Sequence, residues 1–119
     1  MSRILLVESS DFLRQRHKNL LINSGYDVIG VRSAPVAYQM LDDNEIFDLI
    51  IIDANLQGVD GVSVLRNIKA TRPKQKIAII SADDINAIEN KACNQGALAI
   101  FSKPLNEDNI TALIETANI

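Results

Sequence analysis

The sequence predicts an α/β fold: a five-stranded parallel sheet in a (βα)5 array with strand order 2-1-3-4-5. Three observations carry that expectation. Short apolar runs rich in Ile and Val recur along the 119 residues, at Ile4-Leu5-Leu6-Val7, Leu49-Ile50-Ile51-Ile52, Ile77-Ala78-Ile79-Ile80 and Leu98-Ala99-Ile100-Phe101. Continuous runs of this kind suit strands buried on both faces, as in a parallel sheet covered by helices. The units repeat about every 24 residues, enough for a strand and a crossover helix. Finally, Glu8, Asp53, Ser81 and Lys103 each lie at or just past the end of one run. In an open parallel sheet the ligand crevice lies outside those carboxyl ends, so the four side chains would converge.

The elements follow in order. A strand near 3–8 ends at Glu8, and a helix near 11–23 follows Ser9-Ser10-Asp11. Ser9 is the expected N-cap there, and Asp11 suits capping or dipole duty. A strand near 26–31 follows, with Gly25 and Gly30 among the glycines that punctuate the units. Ser33 is placed to cap a helix near 34–43, with Pro35 in its first turn. The strand near 48–53 ends at Asp53, and Gly61 opens a helix near 61–71 that stops before Pro73. A strand near 76–81 leads to a helix near 84–95, closed by Gly96. The last strand, near 98–101, precedes Pro104 and a helix near 107–117 striped by Ile110, Leu113, Ile114 and Ala117. In the flavodoxin-like order 2-1-3-4-5 the second strand sits at the sheet edge. That explains why the unit ending near Val31 contributes no polar group.

Bulk properties narrow the classes. The chain is 47% apolar and 23% charged, ordinary for a globule with a full core, and is read as one domain over residues 1–119. No linker, tail or output domain is expected within it. A net charge of −3 and a pI near 5.0 provide no basic field for nucleic acid or anionic membrane. No apolar run nears the roughly 18 residues of a membrane span, and no signal-peptide pattern opens the chain. The lone Cys93 excludes an internal disulfide framework and fits the cytoplasm.

A nucleophilic carboxylate, a second acid, a hydroxyl and an ammonium at one point form a phosphoryl-accepting set. A transferring phosphoryl group spreads negative charge over its oxygens, so positioning and cations do most of the work. Lys supplies a compact charge with mobile donors, and Mg²⁺ takes carboxylates, a carbonyl, waters and phosphate.

In these motifs the chain resembles the receiver domain of two-component response regulators, the fold of the chemotaxis response regulator. The matching residues are Glu8 after Leu5-Leu6-Val7, Asp53 in Ile52-Asp53-Ala54-Asn55-Leu56, Asp60-Gly61, Ser81-Ala82 and Lys103-Pro104. The resemblance implies that Asp53 accepts a phosphoryl group from a histidine kinase or phosphotransfer protein. It implies that Lys103 pairs with Asp53 and then with the phosphoryl oxygens, and that the Ser81 hydroxyl binds the phosphoryl group. Glu8, Asp53 and the Asn55 carbonyl would hold Mg²⁺, while Asn55 and Asp83 would tune the lifetime of the phosphate. Lys103-Pro104 would be cis. A downstream protein would dock on residues 84–118, a homodimer is admitted, and no enzyme activity beyond self-phosphotransfer and dephosphorylation is expected.

Departures from the family pattern matter. Ser9 stands where a second acid usually gives the direct metal ligand, so Mg²⁺ binding is expected to be weak. Ile100 aligns with the usual aromatic switch, and Phe101, one residue on, points to the other face. Gln57 replaces a common Pro. A pseudo-receiver that docks partners without phosphate is the alternative function, and a purely structural Lys103–Asp53 pair would read identically in sequence. An aspartyl phosphatase of the haloacid dehalogenase type would want an acid where Asn55 stands. His17 is expected to be partly buried or on the surface and Cys93 to be a small packing residue. Arg14, Arg16 and Lys18 read as a solvated helix face.

Overall fold

The computed structural model describes residues 2–119. In chain order the elements are β1 (Arg3–Val7), α1 (Asp11–Asn23), β2 (Asp27–Val31), α2 (Ala34–Asp42), β3 (Leu49–Asp53), β4 (Asn55–Leu56) and β5 (Val59–Asp60). There follow α3 (Gly61–Thr71), β6 (Ile77–Ser81), a 3-10 turn (Ile85–Ala87), α4 (Glu89–Asn94), β7 (Ala99–Ser102) and α5 (Glu107–Ala117). The main sheet runs β2-β1-β3-β6-β7 with every pairing parallel. This is the expected 2-1-3-4-5 order, renumbered only because β4 and β5 form a separate antiparallel hairpin.

Alternation along the buried strands divides the core in two. Leu5, Val7, Ile50, Ile52 and Ile79 face α2, α3 and α4 through Ala37, Leu65, Ile68 and Ala92. Ile4, Leu6, Ile51 and Ile80 face α1 and α5 through Leu21, Ile110 and Leu113. Ile100 packs with the first cluster and Phe101 with the second, so the sole aromatic of β7 lies on the face opposite Ile100.

Capping fixes where helices begin, and one expected cap is corrected. Ser10, not Ser9, caps α1, its hydroxyl accepting the Leu13 N–H at 3.2 Å. Ser33 occupies the cap of α2 but makes no side-chain bond; Pro35 in the first turn supplies the preset φ instead. Asp60 caps α3 through the Val62 N–H, and Asn106 and Asn109 cap α5 reciprocally. Each such side-chain cap stabilises by about 1 kcal/mol.

The helix expected near 84–95 is broken. Asp84 binds the Asn86 N–H and tightens the first residues into a 3-10 turn, and α4 proper starts only at Glu89. There Ala92 is fully buried while Cys93 is exposed, so Cys93 is not the packing residue expected. Gly30 lies inside β2 rather than between units, and the Arg14 stem packs over its open face.

The hairpin after β3 has no counterpart among the expected elements. Its turn residues, Gln57 and Gly58, both have positive φ, at 52° and 88°, the signature of a tight two-residue turn. A proline is locked near φ −65° and cannot take that position, which rules out the common Pro at residue 57. Gly61 closes the loop so tightly that a Cβ would lie 2.0 Å from the Asp53 carbonyl oxygen.

Candidate functional site

The carboxyl ends of three strands and the loop after a fourth deliver the site. Glu8, just past β1, is completely buried. Its Oε2 accepts the Ser10 N–H at 3.1 Å, and its backbone carbonyl accepts Arg14 Nη1 at 2.9 Å. Asp53 closes β3 and is 3% exposed. Its Oδ1 accepts the Asn55 N–H at 3.1 Å and its Oδ2 accepts Lys103 Nζ at 2.8 Å. The same ammonium lies 2.7 Å from Glu8 Oε1, off the line of a hydrogen bond. Ser81 ends β6, also buried, its hydroxyl oxygen accepting the Asp83 N–H at 3.1 Å. Lys103-Pro104 is cis, as the resemblance implied.

These groups line a cleft of about 300 Å³ shared with Ser9, Asn55, Gln57 and Asp83. A larger cleft of about 700 Å³ lies at the other end of the sheet, between Phe47, Arg72 and Lys76, away from these groups. Glu8, Asp53 and Lys103 sum to a formal charge of −1. Burial pushes the Asp53 carboxyl up, Glu8 adds to the rise, and Lys103 and the Asn55 N–H only partly offset it. For Lys103, burial alone would lower the pKa, but hydrogen bonding and charge from Asp53 and Glu8 raise it on balance. The ammonium is thus locked in its charged form by the carboxylates it neutralises.

Glu8, Asp53, Asn55, Ser81, Asp83 and Lys103 all line this cleft, but the Asn55 side chain is committed locally. The Asn55 side-chain oxygen accepts the Gly58 N–H at 2.8 Å, stapling the hairpin. Asn55 stands opposite Asp60 in a pair between the ladder bonds, so its N–H and carbonyl point away from the partner strand. Asp11 is drawn to Arg14, whose guanidinium holds its carboxyl below the usual range. Arg14 is therefore only partly solvated, in correction of the reading that put it on a solvated face with Arg16 and Lys18. His17 is corrected as well: it is completely buried, with Nε2 accepting the Leu105 N–H at 3.0 Å. The His17 contact spans the fold, and no local pattern announces it.

A cation fits the donor set only modestly. Among the described residues no group of three or more acid, imidazole or thiol side chains could ligate a metal. Two carboxylates and an outward carbonyl meet the minimum that Mg²⁺ uses together with waters.

A model of the response regulator receiver domain matches residues 4–115. The chain belongs to the response regulator receiver family. Transcriptional regulatory protein ZraR of Escherichia coli is 33% identical over 98 residues, 82% of this receiver and 22% of that protein. A cyclic di-GMP phosphodiesterase of Thermotoga maritima is 30% identical over 103 residues, 87% of this receiver and 27% of that protein. The receiver thus spans about a quarter of these relatives. Chemotaxis protein CheY of Listeria monocytogenes is 25% identical over 117 residues, 98% of both chains. Among solved structures, the receiver domain of an HD domain-containing protein from Pseudomonas fluorescens superposes with a TM-score of 0.87 at 29% identity. It covers 98% of this receiver and 94% of that chain. Among the described residues no helix is long and apolar enough to cross a membrane.

Proposed function

We propose that this receiver accepts a phosphoryl group on Asp53 from the phosphohistidine of a kinase or phosphotransfer protein, and that the adduct changes which partner it binds. The observation that carries the proposal is the Lys103 ammonium, within 2.8 Å of both buried carboxylates at the mouth of a cleft. A carboxylate oxygen of Asp53 attacks phosphorus, the phosphorus–nitrogen bond to the donor histidine breaks, and its electron pair stays on the imidazole. Lys103 follows the new charge to the phosphoryl oxygens. The Ser81 oxygen already accepts from Asp83, which leaves its own proton to donate to the phosphoryl group. Glu8, Asp53 and the Asn55 carbonyl would hold Mg²⁺, which when bound adds positive charge against those oxygens. Asn55 and Asp83 flank the acceptor and tune the lifetime of the phosphate by governing access of water. The acidic chain, with its single cysteine, fits a cytoplasmic setting.

Intact mass after incubation with acetyl phosphate and Mg²⁺ tests this. A single phosphoryl adduct is expected, and Asp53→Ala should abolish it. An adduct that survives in that variant assigns the chemistry elsewhere. No adduct in the wild type favours the pseudo-receiver reading, to which Ser9 in place of an acid already lends weight.

The partner surface is proposed to be residues 84–118, comprising α4, β7 and α5. Ser81 and Lys103 lead directly into it, and the Asp60–Lys91 pair at 3.1 Å ties the start of α3 to α4. Because Ile100 offers no aromatic flip, the rearrangement should be smaller than one that swings a ring. Beryllofluoride is expected to shift amide resonances over residues 81–104, and shifts confined to 53–61 would contradict this surface.

A further inference from the structure

We infer that His17 is a positioning residue for Lys103, anchoring the backbone turn that carries the ammonium to Glu8 and Asp53. The inference rests on the phosphoacceptor reading of the site for its catalytic consequence, but not for its geometry. The turn linking β7 to α5 includes Lys103, Pro104 and Leu105. Pro104 has no N–H to anchor it. The segment is instead pinned by the two N–H groups that flank the proline. Lys103 N–H donates to the Ser81 carbonyl at 2.8 Å, and Leu105 N–H donates to His17 Nε2 at 3.0 Å.

The anchoring side chain comes from the helix that also fixes the opposing carboxylate. Ser10, Arg14 and His17 follow the i, i+4, i+7 spacing of one helical face. The Ser10 N–H holds the Glu8 carboxylate, Arg14 holds the Glu8 carbonyl, and His17 holds the Lys103 turn. One stripe of α1 thereby sets both sides of the ion cluster.

Packing alone does not call for an imidazole here. His17 has no exposed surface, and its Nδ1 is buried without a partner. Since Nε2 accepts, the proton sits on Nδ1, in an environment that an isobutyl group would fill at lower cost. What leucine cannot supply is the acceptor for Leu105. Burial first, then Lys103 and Arg16, hold the His17 pKa at about 4 against the opposite pull of Asp53, so the imidazole is neutral and free to accept at physiological pH.

The test compares wild type, His17→Leu and His17→Gln, since glutamine returns an acceptor at a similar reach. Labelling of Lys103 by an amine-acylating reagent is read by peptide mass, without any phosphodonor. The rate of adduct formation with acetyl phosphate and the Mg²⁺ affinity are measured in parallel. His17→Leu should melt cooperatively, expose Lys103 to labelling and slow phosphorylation on the order of tenfold to a hundredfold. Its Mg²⁺ affinity should not fall, because an ammonium drawn away from Glu8 and Asp53 leaves those carboxylates less neutralised, and His17→Gln should restore protection and most of the rate. Wild-type protection of Lys103 in His17→Leu overturns the assignment, as does a glutamine variant no better than leucine. Should His17→Leu fail to fold, His17→Gln decides alone, because Lys103 labelling above wild type in it also overturns the assignment. If wild type forms no adduct the phosphoacceptor reading fails, yet the labelling still decides the role of His17.

Discussion

Replacing Lys103 with methionine is expected to destabilise the fold by about 3–5 kcal/mol at neutral pH, the usual cost of removing one partner from a buried ion cluster. Glu8 is 0%, Asp53 5% and Lys103 7% exposed at the side chain, so water screens this cluster poorly. Methionine keeps the length of the stem, leaving lost charge as the main effect. Proton uptake by Asp53, whose carboxyl burial already pushes up, limits the damage.

The pH dependence has a definite sign. Lys103 has a raised pKa in the folded state, so its stabilisation is full below the ordinary lysine value and is lost as pH climbs through the raised one. Asp53 is also raised, so the folded state takes up its proton more readily than the unfolded chain does. Its unfavourable contribution at neutral pH therefore eases on acidification. Without Lys103 that second effect grows, and the gap between variant and wild type should narrow from pH 7 to pH 5. Adding Asp53→Asn to Lys103→Met should recover much of the loss. Urea denaturation of the three proteins at both pH values checks this; a gap independent of pH would mean that the carboxylates are not what the lysine supports.

The same burial explains why so much of the fold and site could be read from the sequence. Strands covered on both faces leave uninterrupted apolar runs, and the end of each run marks the edge where Glu8, Asp53 and Ser81 emerge. The neighbouring features were hidden for physical reasons. The Gln57–Gly58 turn joins strands of two residues, too short for alternation, and uses Gln where hairpin turns favour Asn or Asp. Near residue 84 an aspartate that bonds its own backbone competes with the helix, and periodicity is blind to that competition. In α4, which starts at Glu89, Ala92 takes the buried position and its neighbour Cys93 is exposed, a difference of one residue that composition does not reveal. The His17–Leu105 bond joins residues 88 apart, which no local window can register.

For the proposed Mg²⁺ site, the charge count turns on Ser9. It lines the cleft beside Glu8 without adding a carboxylate. With aspartate there, three carboxylates against Lys103 would give a formal −2 instead of −1, a site that a divalent cation relieves. Ligand charge count is a principal determinant of affinity for hard cations, so Ser9→Asp should tighten Mg²⁺ binding on the order of tenfold or more. Phosphorylation by acetyl phosphate should quicken alongside. The cost appears without metal, where renewed like-charge crowding should destabilise the fold by about 1 kcal/mol, limited by the partial exposure of the position. Magnesium should then raise the melting temperature of the variant more than that of the wild type, because a ligand stabilises the state it binds. Calorimetric titration and paired melts with and without Mg²⁺ measure all three quantities. Equal Mg²⁺ affinity in the two proteins would show that another oxygen, such as that of Asp11, already completes the site. Asp11 is the natural candidate, but its carboxylate is held by Arg14. Breaking that pair with Arg14→Ala in the Ser9 background should then strengthen Mg²⁺ binding if Asp11 can take over, and leave it weak if only position 9 can supply the ligand.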